Sequence, residues 1–459
     1  MDTPTMKHRP LPSEELAAFV AAHPFRSVPE EVLREGRRRI LDTLGVALGA
    51  RRTRPVEILL SVTRELGGTP QAGVPGLNLR TSVPSAARLL GVMSHLLDFD
   101  DTHTPTILHP SAPTLAAALP LAERREASGR ELLAAFTFGV EAGCRVALAL
   151  GPAHYDVGWH VTGTAGTVAA AAACSRLLSL DEARTHDALS IAATEAAGQR
   201  AQFGAMTKSL HTGNAAANGA LAALLAENGY TAGRRGFEGP RGLLNAASSR
   251  PSPREFAADL GERWETLCIG IKPYSCGVVT HPAIDAVRRL AGLTGASGQE
   301  VERIDLAVHP LVMELTNKRN PRTGLEGKFS IAFAAAITWI EGTARHRQFT
   351  DEKVNRPDVK ALMDRVCVAA DNSLNQIEAR ATVCLRGGKM SSEHISHATG
   401  TPENPVSEEE LREKFTELVE PELGARAVRR IIACMEKLRQ DEPLKPLFDA
   451  LAPAAAVRE

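Results

Sequence analysis

Aromatic side chains are scarce in this chain: tyrosine and tryptophan occur three times each, and Phe, Trp and Tyr together make up 4% of the residues. Alanine takes their place in runs such as VAAAAAC at 168–174. Strands favour aromatic and β-branched residues, whereas alanine is the best helix former, so this shortage points to closely packed helices. Cysteine pairing is missing as well. The seven cysteines, Cys144, Cys174, Cys268, Cys276, Cys367, Cys384 and Cys434, are odd in number and contain no CxxC. Such spacing signals neither zinc nor an iron–sulfur cluster and fits reduced thiols in a cytoplasmic protein. Charge of one sign is not in excess: 53 Lys and Arg stand against 54 Asp and Glu, a formal net charge of −1. The net charge therefore gives no whole-protein reason to expect nucleic acid or an anionic membrane as a partner, although local basic positions can hold a small anion. The opening MDTPTMKHRPLPSEEL has no apolar stretch or small-residue cleavage site, so no secretory signal is expected. No apolar run is expected to reach the roughly 20 residues that cross a bilayer.

What remains is an ordinary globular composition, 44% hydrophobic and 23% charged, over 459 residues. Apolar residues recur at helical spacing through 13–25, 30–50, 84–98, 112–126, 130–150, 164–179, 182–198 and 212–228. After about residue 264 the texture changes. ERIDLAVHPLVMEL (302–315) and QIEARATVCLRG (376–387) read as strands around a helical KFSIAFAAAITWIEG (328–342). Helix returns from Ser407 to about Arg439. The expected fold is mainly α: a large all-helical domain formed by 1–266 and 396–459, with a smaller α+β lid domain at 267–395. No internal repeat is evident, and low complexity is confined to the alanine runs and the tail APAAAVRE.

Four clusters carry candidate chemistry. The first is LLDFDDTHTPTILHPSAP (96–113), with Asp98, Asp100, Asp101, Thr102, His103 and His109. Asp98, Asp100 and Thr102 spell the DxDxT of haloacid-dehalogenase-type phosphatases, but that motif needs a preceding strand, and RLLGVMSHLL is helical by period. His103 and His109 stand six apart across two prolines, unlike the i, i+4 pair of a helical zinc site; mixed Asp/His ligation and a plain solvated loop stay open as readings of this stretch alone. The second cluster, HYDVGWHVTGTAGT (154–167), holds His154, Tyr155 and His160 before a helix that Thr162 or Thr164 is expected to cap. The third, MTKSLHTGNAAANG (206–219), puts Lys208 and His211 on one helical face. The fourth, IKPYSCGVVTHPAIDA (271–286), gathers Lys272, Tyr274, Ser275, Cys276 and His281 at the expected domain junction, where pockets tend to form. Taken singly, each has a bland reading as a satisfied histidine or a snorkelling lysine.

Together with VPEEVLREGRRRILDTLGVALGA (28–50), GKFSIAFAAA (327–336) and NPVSEEELREKF (404–415), these clusters resemble the MmgE/PrpD family of dehydratases, decarboxylases and epimerases along almost the whole chain. The resemblance implies a helical main domain with an α+β lid, a homodimer, and a cofactor-free, metal-free cleft that takes a small carboxylate. It assigns reaction roles to Asp98, Thr102, His109, Tyr155, His160 and Lys208. Lys272 matches the family's K-x-Y lysine, and His103, His211, Ser275 and Cys276 complete the expected substrate-binding set. Two departures stand out: the stretch from Asp98 to His109 is one residue longer than in the animal decarboxylase branch, and Gly277 stands where that branch has a second lid histidine. The DTW form of the opening motif is also missing. The expected activity is therefore removal of the proton next to a carboxylate of a small di- or tricarboxylate, followed by loss of a β-hydroxyl. Epimerisation of a substituted succinate is second, and decarboxylation or mere binding comes after. Lys208, Lys272 and the helix N-terminus near Thr162 are expected to stabilise the dianion, and Asp98 or Asp101 to orient a histidine.

Overall fold

The computed structural model describes residues 9–453. Residues 1–8, the head of the stretch read for a signal, and 454–459, most of the alanine-rich tail, lie outside them.

The first half of the chain is a stack of helices: α1 (Pro12–Ala22), α2 (Glu30–Ala50), α3 (Arg54–Leu66), α4 (Val83–Leu96), α5 (Ser111–Arg124) and α6 (Gly129–Leu150). There follow α7 (Pro152–Asp156), α8 (Val161–Leu177), α9 (Glu182–Thr194), α10 (Thr207–Glu227) and α11 (Leu243–Ala247). Their small residues decide how they pack. A Cβ added at Gly143 on α6 would lie 2.6 Å from the Cβ of Ala169 on α8. One added at Gly219 on α10 would lie 2.5 Å from Ala170, and one at Gly213 would meet the backbone oxygen of Arg88 on α4 at 2.6 Å. Backbones in such contact need glycine and alanine at the seam, which is what the aromatic-poor composition supplies. Helix α6 corrects one expectation: by length and composition it is apolar enough to cross a membrane. It is instead a core helix, 94% buried over its most apolar window and carrying the ion pair Arg145–Glu141 at 2.8 Å.

Two short antiparallel pairs join the helices. β1 (Ala72–Gly73) pairs with β2 (Arg80–Thr81), and β3 (Thr102–His103) with β4 (Ile269–Gly270). The second pair ties the loop after α4 to the segment where the second core begins. That core runs from Tyr274 to Ile395, whereas the first holds residues from Leu16 to Ile271 and again from Val406 to Leu451.

The second core contains α12 (His281–Thr294), β5 (Val301–Val308), α13 (Pro310–Thr316), α14 (Gly324–Gly327) and α15 (Ile331–Glu341). It continues with α16 (Asp351–Val354), α17 (Pro357–Met363), β6 (Val366–Ala370), β7 (Ala379–Leu385) and β8 (Met390–Ile395). The strands form one sheet in the order β6-β5-β7-β8, in which only β5 and β6 are parallel. The strand expected over 302–315 stops at Val308. Pro310 cannot donate to a ladder and opens α13 instead, with the His309 side chain accepting from the Leu311 N–H. After the sheet, α18 (Glu408–Leu423), α19 (Ala425–Lys437) and α20 (Lys445–Leu451) return to the first core. Ser407 and Glu410 form the capping box that starts α18.

Candidate active site

Helix α4 ends at Leu96, and the chain leaves it through Asp98 with φ +51, a left-handed conformation uncommon for a residue with a side chain. Three buried lysines hold this turn. Lys328 Nζ donates to the Leu97 carbonyl at 2.6 Å, Lys272 Nζ to the Asp98 carbonyl at 3.2 Å, and Lys414 Nζ to the Phe99 carbonyl at 2.7 Å. The Asp98 carboxylate is shared between two lysines, with Oδ1 2.7 Å from Lys272 Nζ and Oδ2 3.2 Å from Lys208 Nζ. Burial would raise its pKa, but Lys208 and Lys272 overcome that and hold the carboxyl well below its usual range.

Four histidine rings lie beside this ion cluster. His95, on the last turn of α4, hydrogen-bonds through Nδ1 to Asp100 Oδ2 at 2.8 Å. Its ring centre lies 4.9 Å from that of His109 and 5.5 Å from that of His160, and its Nε2 has no partner. His109 Nδ1 is 2.7 Å from the Asp101 carbonyl, which can only accept, so the proton sits on Nδ1 and Nε2 carries the lone pair. The His109 backbone N–H donates to Thr162 Oγ1 at 3.2 Å. His160 is itself the N-cap of α8, and no side chain caps that helix, which corrects the expectation for Thr162 and Thr164. Its Nδ1 lies 3.1 Å from His211 Nδ1, one donating to the other.

Burial pushes His109 down to about 3 and His160 well below the ordinary histidine value, which favours the neutral form of both rings. Burial also pushes the Tyr155 phenol up to about 12, with Arg200 opposing, so it keeps its proton. The Arg200 guanidinium covers that ring at 3.7 Å from its centre and pairs with Glu314 at 2.5 Å. Asp100 is ionised: burial opposes this, and His95 and His109 outweigh it. The carboxylate that holds a histidine is thus Asp100, rather than Asp98 or Asp101. Asp101 takes the N–H and hydroxyl of Ser111, and burial pushes it up to about 7.

Asp98, His109, Tyr155, His160, Lys208 and Lys272 all line one cavity of about 520 Å³, mouth included. Other expected residues are elsewhere. Thr102 borders an adjoining cavity, with its hydroxyl 3.3 Å from His109 Nδ1. His211 stands behind His160, outside the lining. His103 spends both nitrogens on structure, Nδ1 with Thr106 at 2.8 Å and Nε2 with Glu265 at 3.1 Å. Ser275 Oγ donates to the Leu97 carbonyl and accepts from Lys328, and the Cys276 thiol is buried against Thr280 and pushed up to about 11 by that burial. Neither lines the cavity, so His103, Ser275 and Cys276 are structural neighbours of the site rather than substrate ligands.

Sequence reasoning missed His95, which sits in an apolar helical run, and the roles of Lys328 and Lys414. Both lysines fall inside quoted motifs, GKFSIAFAAA and NPVSEEELREKF, so the signal was present without a partner to give it meaning. The apolar lining Ile107, Phe203, Val278, Val279, Leu315 and Phe329 was also missed. His95, Asp100 and His109 are the one group among the described residues with ligand atoms within 4.8 Å of one another. Both imidazole Nδ1 atoms there hold hydrogen bonds, to Asp100 and to the Asp101 carbonyl, which leaves Nε2 of each ring as the nitrogen not so engaged.

The family described as the MmgE/PrpD N-terminal domain matches residues 14–255, and the MmgE/PrpD C-terminal domain matches residues 274–440. Cis-aconitate decarboxylase of Homo sapiens is 28% identical over 96% of this chain and 94% of its own length. The Mus musculus decarboxylase is 27% identical over 94% and 91%, and that of Aspergillus terreus 27% identical over 92% of each.

Proposed function

The chain belongs to the MmgE/PrpD family, and from that premise we propose that it removes the proton next to a carboxylate of a small di- or tricarboxylate and expels a β-hydroxyl. One observation carries this reading: segments near 98, 109, 155, 160, 208 and 272 converge on a single cavity. Loss of that proton builds a second negative charge on the carboxylate oxygens. Lys208 and Lys272 offer fixed ammonium groups for it, in a site where little water screens them. His109 offers a base whose lone pair is directed by the Asp101 carbonyl, and an approaching carboxylate raises the proton affinity of its ring. Tyr155 and His160 lie in the same lining as acids for the departing hydroxyl, or for returning a proton to the opposite face, which would make the enzyme an epimerase.

A second reading, decarboxylation, draws on the names of the relatives. It needs a group to protonate the carbon after carbon dioxide leaves. Gly277 provides none at its position in the lining, so His160 or Tyr155 would have to serve. One set of incubations in D₂O separates the three: ultraviolet absorbance of a new double bond, deuterium wash-in without net product, or released carbon dioxide. Lys208→Met is expected to slow whichever reaction occurs by about 100-fold or more, the scale of losing one charge aimed at a transition state. Full activity in that variant, with the fold intact by circular dichroism, would remove the proposal.

A further inference from the structure

Arg200 is the one charged residue of the segment GQRAQF (198–203), and the backbone fixes where it stands. Trp159 and Gln199 form an antiparallel bridge. Beside it the Arg200 N–H donates to the Gly158 carbonyl at 2.9 Å, and the His160 N–H donates to the Gly198 carbonyl at 3.0 Å. This pairing lays 198–200 along the loop that follows α7, and the Arg200 side chain falls on Tyr155. The guanidinium covers that ring at 3.7 Å from its centre, and its Nη1 donates to the Tyr155 carbonyl at 2.9 Å. From the second core, Glu314 on α13 accepts from Nη2 at 2.5 Å. The next two residues of α13, Leu315 and Thr316, line the candidate site, as does Phe203. Arg200 thus lies behind Tyr155, outside the lining and clasped between the two cores.

The ion pair alone is a weak reason for this arrangement, because the Glu314 side chain is 59% exposed and solvent screens it. Two observations ask more of Arg200. Its Nε is buried without a partner, which a residue kept only for packing would rarely tolerate. Its stack also sets a fixed positive charge face-on against a buried aromatic ring. In the reaction proposed above, Tyr155 gives its proton to the departing hydroxyl: the O–H bond breaks, the electron pair stays on the phenol oxygen, and water leaves. Burial disfavours the phenolate so formed, the Arg200 charge favours it, and the carboxylates of Glu314 and Asp98 disfavour it in turn. The proton taken by His109 then restores the phenol through solvent.

We infer that Arg200 is a positioning residue of the site: stacked on Tyr155, it holds the phenol at the cavity and supplies the positive charge that the conjugate base requires. Its part in turnover rests on the function proposed above; its effect on the phenol does not. The test places 3,5-difluorotyrosine at Tyr155 of the full chain, a residue that ionises more readily than tyrosine, and follows its fluorine resonance against pH. Arg200→Met is expected to lower the ionisation constant about tenfold or more, the effect of losing one opposite charge at close range. Arg200→Gln, which keeps hydrogen-bonding groups without the charge, should do the same, and it serves if the methionine variant does not fold. Arg200→Lys should recover most of the loss. A residue that merely tied the two cores together would lower the melting temperature in these variants and leave the titration in place. A constant that stays within about twofold in the uncharged variants, or that falls as far with lysine as with methionine, overturns the inference. The titration needs no turnover, so a moved constant in a protein that exchanges no protons would keep Arg200 in its role and remove the acid–base reading. Exchange in D₂O with an unmoved constant would do the reverse.

Discussion

Asp98 joins two tasks in one side chain: its carboxylate neutralises Lys272, and its left-handed backbone presents a carbonyl to the same ammonium. Lys272 is 2% exposed, and Asp98 is the carboxylate it touches. Asp98→Asn therefore strands a buried cation and is expected to lower stability by about 3–5 kcal/mol in a denaturant titration. A loss near zero would mean that Lys272 finds another partner. The histidines allow a sharper test, because two neighbours act on them with opposite sign. The negative charge of Asp100 raises the proton affinity of His109, whereas the His95 ring lowers it. If neutral His109 is the base, Asp100→Asn moves the acidic limb of the solvent-exchange profile to lower pH, and His95→Gln moves it to higher pH. Both variants moving the limb the same way would point to general damage.

Helix α8 links packing to chemistry, since its N-cap is His160 and its small residues seat it on α6 and α10. Gly143→Val would push a side chain into Ala169, 2.6 Å from the new Cβ, and the helices must separate. An overpacked seam of this kind costs about 1–3 kcal/mol. The variant should also weaken binding of small acids, because the start of α8 moves with the rest. Reduced thermal stability with unchanged acid binding would show that α8 tolerates the shift without moving His160. The lysines make a comparable link at the junction of the two cores. Lys328, at the end of α14, holds the Leu97 carbonyl at 2.6 Å and the Ser275 carbonyl at 2.8 Å. The second core thereby grips the turn that carries Asp98.

For the molecule as a whole, buried titrating groups set the response to acid. Burial pushes His109 and His281 to about 3, and His211 and His346 to about 4. In each case the unfolded chain takes up a proton first, near 6.5, so their contribution is complete above that pH and is lost as pH falls toward the folded values. Asp101 and Glu141, pushed up to about 7 by burial, work in the other direction and favour the fold on acidification. Burial likewise lowers His23, His154 and His160 and raises Asp42, so seven histidines oppose three carboxyls, and the melting temperature should fall between pH 7.5 and pH 5. A melting temperature that stays level or rises over that interval would contradict the balance.

The chain's own pattern carried the helices, the change to strands after residue 264, and the family. Each of these depends on local spacing or on ordered motifs, which survive without knowledge of what touches what. The alanine-rich seams were likewise visible as composition. Ladder partners were not: the strand expected through 315 overlooked what Pro310 does to a hydrogen-bonding edge. The separation of His109 from His103, or of Asp100 from its two neighbours, was also beyond the sequence. Residues one to six positions apart share the same letters and the same loop, and their roles follow from which buried partner each one meets. Lys328 and Lys414 make the same point from farther away, 231 and 315 positions from the carbonyls they hold. Sequence alone determined which residue types were available and where helices would form. Only the tertiary structure decided which charges are left unmatched in the cavity, because desolvation and pairing depend on contacts between segments that are remote along the chain.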